Sequence, residues 1–146
     1  MQGTPRFMDA TRGARELLAA ATPRRMWLPE RGVEIALLDF GGAGPLALVH
    51  HANGFCKGTW AEVAHALRDR LRVVALDARG HGDSSRPEGP AAYAWPEFAR
   101  DFAAVASLLV AESGAPLALG IGHSFGGTSL LGAAAERPEL FERLLL

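Results

Sequence analysis

Covalent cross-links are the first thing this sequence lacks. Among 146 residues there is one cysteine, Cys56, so no internal disulfide framework can form. That scarcity suits a reducing, cytoplasmic setting. A surplus of either charge is missing too: 15 basic and 16 acidic side chains leave a formal net charge of -1. Mixed along most of the chain, they give nothing to draw a phosphate backbone or an anionic lipid surface, so nucleic-acid and membrane partners are not expected and a small neutral molecule fits better. No apolar run approaches the roughly 20 residues that span a bilayer. No continuous apolar core follows the N-terminal charges, as a secretory signal requires. His50, His51, His81 and Asp83 form no helical His-x-x-x-His pair and have no cysteine pair beside them, so neither a metal nor a cofactor is expected.

What is present is enough apolar material for one core, with 49% hydrophobic residues and no long low-complexity tract. The first 25 residues hold five arginines against two acids, Asp9 and Glu16. An organelle transit peptide has that bias, but arginine outnumbers lysine throughout the chain. Residues 1–24 therefore read as a flexible, Arg-rich tail ahead of a domain over 25–146.

Element signals alternate along that domain. "RGVEIALLDFGG" (31–42) reads as a strand ending in glycine, with "MWLP" as its hairpin partner across "ERG". "PLALVHH" (45–51) is a short unbroken apolar run, as expected of a parallel strand buried on both faces. In "TWAEVAHALRDRL", Trp60, Val63, Ala64, Leu67 and Leu71 recur at helical spacing, with Thr59 as N-cap and Glu62 three residues on. A strand at 71–77 follows, then the loop "ARGHGDSSRPEGP". Next come a helix with Phe98, Phe102, Val105 and Leu109 on one face, the strand "PLALGIG", a helix ended by Pro138, and the start of a strand in "FERLLL". The fold class is α/β, a mostly parallel sheet with helices on both faces. Ligands gather at the carboxyl ends of such strands, where "HHANGF", "ARGHGDSS" and "GHSFGG" all lie.

Gly122-His123-Ser124-Phe125-Gly126 matches G-x-S-x-G with a strand before it and a helix after it. A strand that turns sharply into a helix throws its pivot side chain outward and crowds the positions two before and two after, where only very small residues fit. Ser124 would then stand at a helix N-terminus, which favours developing negative charge. Competing patterns fail on particular residues. Counted from Gly120, the sixth position of a dinucleotide fingerprint is Phe125 rather than glycine or alanine, and the Gly-Lys-Ser/Thr ending of a phosphate loop does not occur. The remaining alternative is that Ser124 merely caps the helix.

At this point the sequence resembles the α/β-hydrolase superfamily over about 27–146, through "LVHHANGF", "VVALDARGHGDSS" and "GIGHSFGG" in the family's order. The resemblance implies that Ser124 is the nucleophile and that the Phe125 N–H is one oxyanion donor, with Gly122 and Gly126 as the elbow glycines. The second donor should come from "HHANGF", which departs from the usual His-Gly-apolar pattern. Aligning Gly54-Phe55 with that pattern makes Phe55 the donor, the preferred assignment; aligning His51 points to Asn53. His51 and His123 are set aside as bases because those positions orient loops in the family. His81 and Asp83 belong to a structural loop, and Cys56 and Lys57 are loop residues beside the hole. Relatives that open epoxides or release halide use a carboxylate nucleophile; a serine implies acyl chemistry on a small-molecule ester, thioester or related substrate.

The resemblance also places the triad acid and histidine after the serine, beyond Leu146. A chain ending inside "RLLL" reads as the N-terminal part of that fold, cut after about the sixth strand and nearly inactive by itself. The alternative is a non-catalytic half-fold that binds a partner or self-associates through an open sheet edge.

Overall fold

The computed structural model describes residues 7–146. Helix α1 (Phe7–Ala20) is followed by the strands β1 (Thr22–Leu28), β2 (Val33–Asp39) and β3 (Leu46–His50). Helix α2 (Ala61–Leu67), β4 (Arg72–Leu76), α3 (Trp95–Ser113), β5 (Leu119–Gly122), α4 (Phe125–Glu136) and β6 (Leu144–Leu145) complete the order. Six strands form one sheet in the order β1-β2-β4-β3-β5-β6. The β1–β2 and β2–β4 pairs are antiparallel, and β3–β4, β3–β5 and β5–β6 are parallel. The expected α/β architecture is therefore the observed one.

Alternation along the strands assigns each residue to one of two cores. Leu48, Val74 and Leu76 face α3 and α4, packing with Phe102, Val105, Leu109 and Leu130. Their neighbours Val49, Val73 and Ala75 face the other way, onto Ala14 of α1 and Ala61 and Ala64 of α2. Central β3 is buried on both sides, which is why its sequence is an uninterrupted apolar run. Because β4 and β5 flank β3 on opposite sides, the chain order reverses there. The loops leaving β3 and β5 meet in a crevice at the carboxyl end of the sheet.

Two sequence expectations change. Part of the stretch read as a flexible tail is α1 and the start of β1; residues 1–6 lie outside the described residues. Ala14 and Leu17 turn toward α2, and the Gly13 backbone lies under the His65 ring, where a Cβ would come within 2.4 Å of Cε1. The Arg12–Glu16 pair on this helix stays exposed, on the side away from the apolar contact with α2. The Thr59–Glu62 cap also does not form. Thr59 sits in a 3-10 turn (Lys57–Trp60) and its Oγ donates to the Cys56 carbonyl at 2.8 Å, so α2 begins at Ala61.

Charged side chains join the elements near the crevice. Asp101 of α3, 4% exposed, receives Arg79 at 2.6 and 2.7 Å and also Arg31 from the β1–β2 turn. Arg31 reaches Glu97 as well, at 2.7 Å. Removing one partner of such a buried group strands the others without compensation. Asp101→Ala should therefore destabilise the fold by about 3–5 kcal/mol, read as a lowered urea midpoint with the denaturant slope unchanged.

Candidate active site

The turn from β5 into α4 is built around one strained residue. Ser124 has φ 53° and ψ -114°, and among the described residues it is the only non-glycine with positive φ. Tight packing holds it there. A Cβ on Gly122 would lie 2.6 Å from Gly126 and Gly127 backbone atoms, and one on Gly126 would lie 2.4 Å from the His50 carbonyl oxygen. Both elbow glycines are thus required by backbone approaching backbone. The His123 N–H donates to the His50 carbonyl at 3.1 Å, and the Thr128 N–H donates to that of Ser124 at 3.1 Å. Ser124 does not cap the helix with its hydroxyl. Its side chain is exposed, and beside it opens a cleft of about 660 Å³ reaching Asn53, His81 and Trp95.

On the facing side the chain leaves β3 as His51-Ala52-Asn53-Gly54-Phe55. Gly54, at φ 80°, makes the Ala52–Phe55 stretch a type II turn, closed by the Phe55 N–H donating to the Ala52 carbonyl at 3.1 Å. This overturns the preference for Phe55 as oxyanion donor. Its N–H is already used, and its exposed side chain lines a separate cleft of about 270 Å³ with Trp60, Val63 and His123. Asn53, the alternative, lines the Ser124 cleft, and its N–H makes no hydrogen bond. The Phe125 N–H, at the first position of α4, is equally free.

His50 and His51 hold backbone of the loops after β3 and β4 through their ring nitrogens. His51 donates from Nδ1 to the Ala52 carbonyl (2.7 Å) and accepts the Ala78 N–H at Nε2 (3.0 Å), so neither ring nitrogen remains for proton transfer. The Nδ1 of His50 donates to the His51 carbonyl at 2.9 Å. Burial lowers the pKa of both: His50 to about 3, and His51 below its ordinary value even though its bond to Ala52 opposes the shift. Both rings are neutral in the fold.

His81 and Asp83 do not pair. His81 contacts the Arg79 carbonyl and Asn53 Oδ1, each at 3.1 Å, and forms part of the Ser124 cleft. The structural loop that holds His81 follows β4, which pairs with β3, and its tip therefore reaches the Ser124 cleft.

Asp83 instead meets Lys57 at 2.6 Å, and Lys57 also reaches the fully buried Asp77 at 2.5 Å. Burial works against the ammonium, but the two carboxylates outweigh it and raise its pKa. Asp77 further accepts the Lys57 and Asp83 N–H groups at 2.7 and 2.8 Å. Lys57 is thus a buried brace between the loops after β3 and β4, not a residue of the Ser124 cleft. Its position right after a polar turn gave no sign of this. Cys56 is exposed and lines neither cleft. Among the described residues no group of three or more His, Cys, Asp or Glu side chains could hold a metal, and no helix is long and apolar enough to cross a membrane.

Comparison with known proteins fits this geometry. A model of the alpha/beta hydrolase family matches residues 46–146. The sn-1-specific diacylglycerol lipase ABHD11 of Mus musculus is 30% identical over 160 aligned positions, covering 97% of this chain and 50% of that protein. The 2-(acetamidomethylene)succinate hydrolase of Mesorhizobium japonicum is 33% identical over 99 residues, covering 68% and 34%. Among solved structures, an epoxide hydrolase from an endophytic Streptomyces superposes with a TM-score of 0.72 at 29% identity, over 85% of this chain and 36% of that one. The chain spans half or less of the length of each of these relatives.

Neutral buried histidines set a pH dependence. On unfolding, His50 and His51 bind protons below their ordinary value of 6.5, whereas in the fold burial makes both bind them less readily. Stability should be full above about pH 6.5 and fall toward pH 4.5, by up to about 1.4 kcal/mol per pH unit from His50, with His51 adding in the same direction. The carboxylates with lowered values, Asp39 and Glu97 among them, act below their ordinary 3.8 and 4.5, outside that window. Urea unfolding at steps between pH 7.5 and 4.5 checks this; a flat profile contradicts it.

Proposed function

The chain belongs to the alpha/beta hydrolase family, and from that premise we propose that it carries the nucleophile and oxyanion hole of a serine hydrolase acting on ester, thioester or related acyl bonds. The observation that carries the reading is Ser124, exposed at a strained pivot with two unbonded N–H groups nearby, those of Phe125 and Asn53. The Ser124 Oγ attacks the acyl carbon, and the carbonyl electron pair moves to its oxygen, which accepts hydrogen bonds from both N–H groups. When the pair returns, the bond to the leaving group breaks and an acyl-enzyme remains, which water hydrolyses by the same route. The serine proton passes to a base and on to the leaving group. Among the described residues no side chain hydrogen-bonds the Ser124 hydroxyl; the family's chain order of serine, acid and histidine supports a histidine base with an orienting acid, both after Ser124 in sequence.

A serine in place of a carboxylate supports acyl chemistry over the ring opening for which the epoxide hydrolase is named, and one relative is named as a lipase. The single cysteine supports a cytoplasmic setting. A second reading has one observation in its favour: Leu144, Leu145 and Leu146 are exposed beside the open edge of β6, a surface suited to self-association without catalysis.

Two experiments test the first reading. A fluorophosphonate applied to the protein as its own cell makes it should modify Ser124, and Ser124→Ala should abolish the labelling; a folded protein left unlabelled points to the second reading. Asn53→Pro removes one donor yet suits a position where type II turns favour proline, so the fold should hold while kcat drops about 10²- to 10³-fold. Asn53→Ala keeps the N–H and should keep most of the activity.

A further inference from the structure

The cleft beside Ser124 is aromatic, and among the described residues its lining holds no lysine, arginine, aspartate or glutamate. Its volume, about 660 Å³, lies in the range of small-molecule sites. Tyr93, Trp95, Phe98 and Phe125 supply the apolar wall, and the rings are already packed on one another. Phe98 meets Phe125 edge to face with centroids 4.7 Å apart, Trp95 lies 5.6 Å from Phe125, and Tyr93 lies 6.4 Å from Phe98.

Local structure holds these rings in place. Trp95 opens α3, just ahead of Pro96, and Tyr93 ends a 3-10 turn with its ring against Gly80, where a Cβ would come within 2.6 Å. Trp95 is 59% exposed and Tyr93 38%, so both present apolar ring surface at the rim of the cleft.

Among the described residues the polar part of the lining, Asn53, His81, Ser124 and Thr128, includes neither lysine nor arginine. The nearby cations are committed elsewhere: Lys57 to Asp77 and Asp83, Arg79 and Arg31 to Asp101. A carboxylate entering the cleft would give up water and find no cation, whereas a flat ring would find edges and faces to stack on.

Building on the reading of Ser124 as nucleophile, we propose that this cleft takes uncharged acyl compounds bearing an aromatic or similarly flat apolar group, and that it discriminates against carboxylates. The matched pair methyl 4-methylbenzoate and the monomethyl terephthalate anion differs in one carboxylate. Calorimetry at pH 7 on the Ser124→Ala form of the protein as its own cell makes it separates binding from turnover. The neutral ester should bind at least about tenfold more tightly. Trp95→Ala should cost three- to tenfold in that affinity and Trp95→Phe should restore most of it, as stacking energies imply. Thr128→Arg, which puts a cation on an exposed position of the lining, should raise the affinity for the anion about tenfold. Equal or tighter binding of the anion to the Ser124→Ala protein, no binding of the neutral ester, or indifference to Trp95→Ala would overturn the proposal. If Ser124 resists the fluorophosphonate while the neutral ester binds with these variant effects, the selectivity stands and the catalytic reading alone fails.

Discussion

The site depends on one close approach of backbone to backbone. Gly126, in the first turn of α4, lies against the carbonyls of His50 and His51 so closely that a single methyl group would not fit. The contact sets α4 on the end of β3 and brings the free N–H groups of Phe125 and Asn53 to one crevice. Apolar packing holds the two helical layers on the sheet, but it does not fix the relative height of two loops to a fraction of an ångström. Main-chain contact does, because neither partner has rotamers to relax into.

Polar groups buried behind the crevice hold the loops that the glycine contact does not reach. Asp77 gathers the loops after β3 and β4 through Lys57 and Asp83, and His51 ties the same two loops together through Ala52 and Ala78. Farther out, Asp101 collects arginines from the β1–β2 turn and the loop after β4. The loops that present the reactive groups are thus braced from below by charges that never reach the cleft. Rigid support beneath exposed, apolar walls is what a site needs when its chemistry relies on donors aimed in advance.

Much of this was legible in the sequence because it is written in local patterns. Strand and helix periods gave the element order, and two glycines around a serine gave the elbow. What escaped depended on long-range pairing. Lys57 and Asp77 stand 20 positions apart and look like ordinary loop residues until β3 and β4 lie side by side. His81 joins the cleft for the same reason. Phe55 looks like the better donor by alignment of its glycine, but its N–H closes a turn onto Ala52 while that of Asn53 makes no hydrogen bond, and sequence spacing does not report which N–H is left free. Helix α1 was hidden by its arginines, since its apolar stripe, Ala14 and Leu17, is narrow and needs α2 beside it to have meaning.

The positive φ of Ser124 bears on how such a chain would drift under natural selection. Glycine adopts that conformation freely, while serine there costs the fold on the order of 1–3 kcal/mol. Selection for a sturdy scaffold alone would therefore favour the loss of the hydroxyl by a single substitution. A lineage that keeps serine at this position carries a standing disadvantage in stability, and only use of the hydroxyl can offset it.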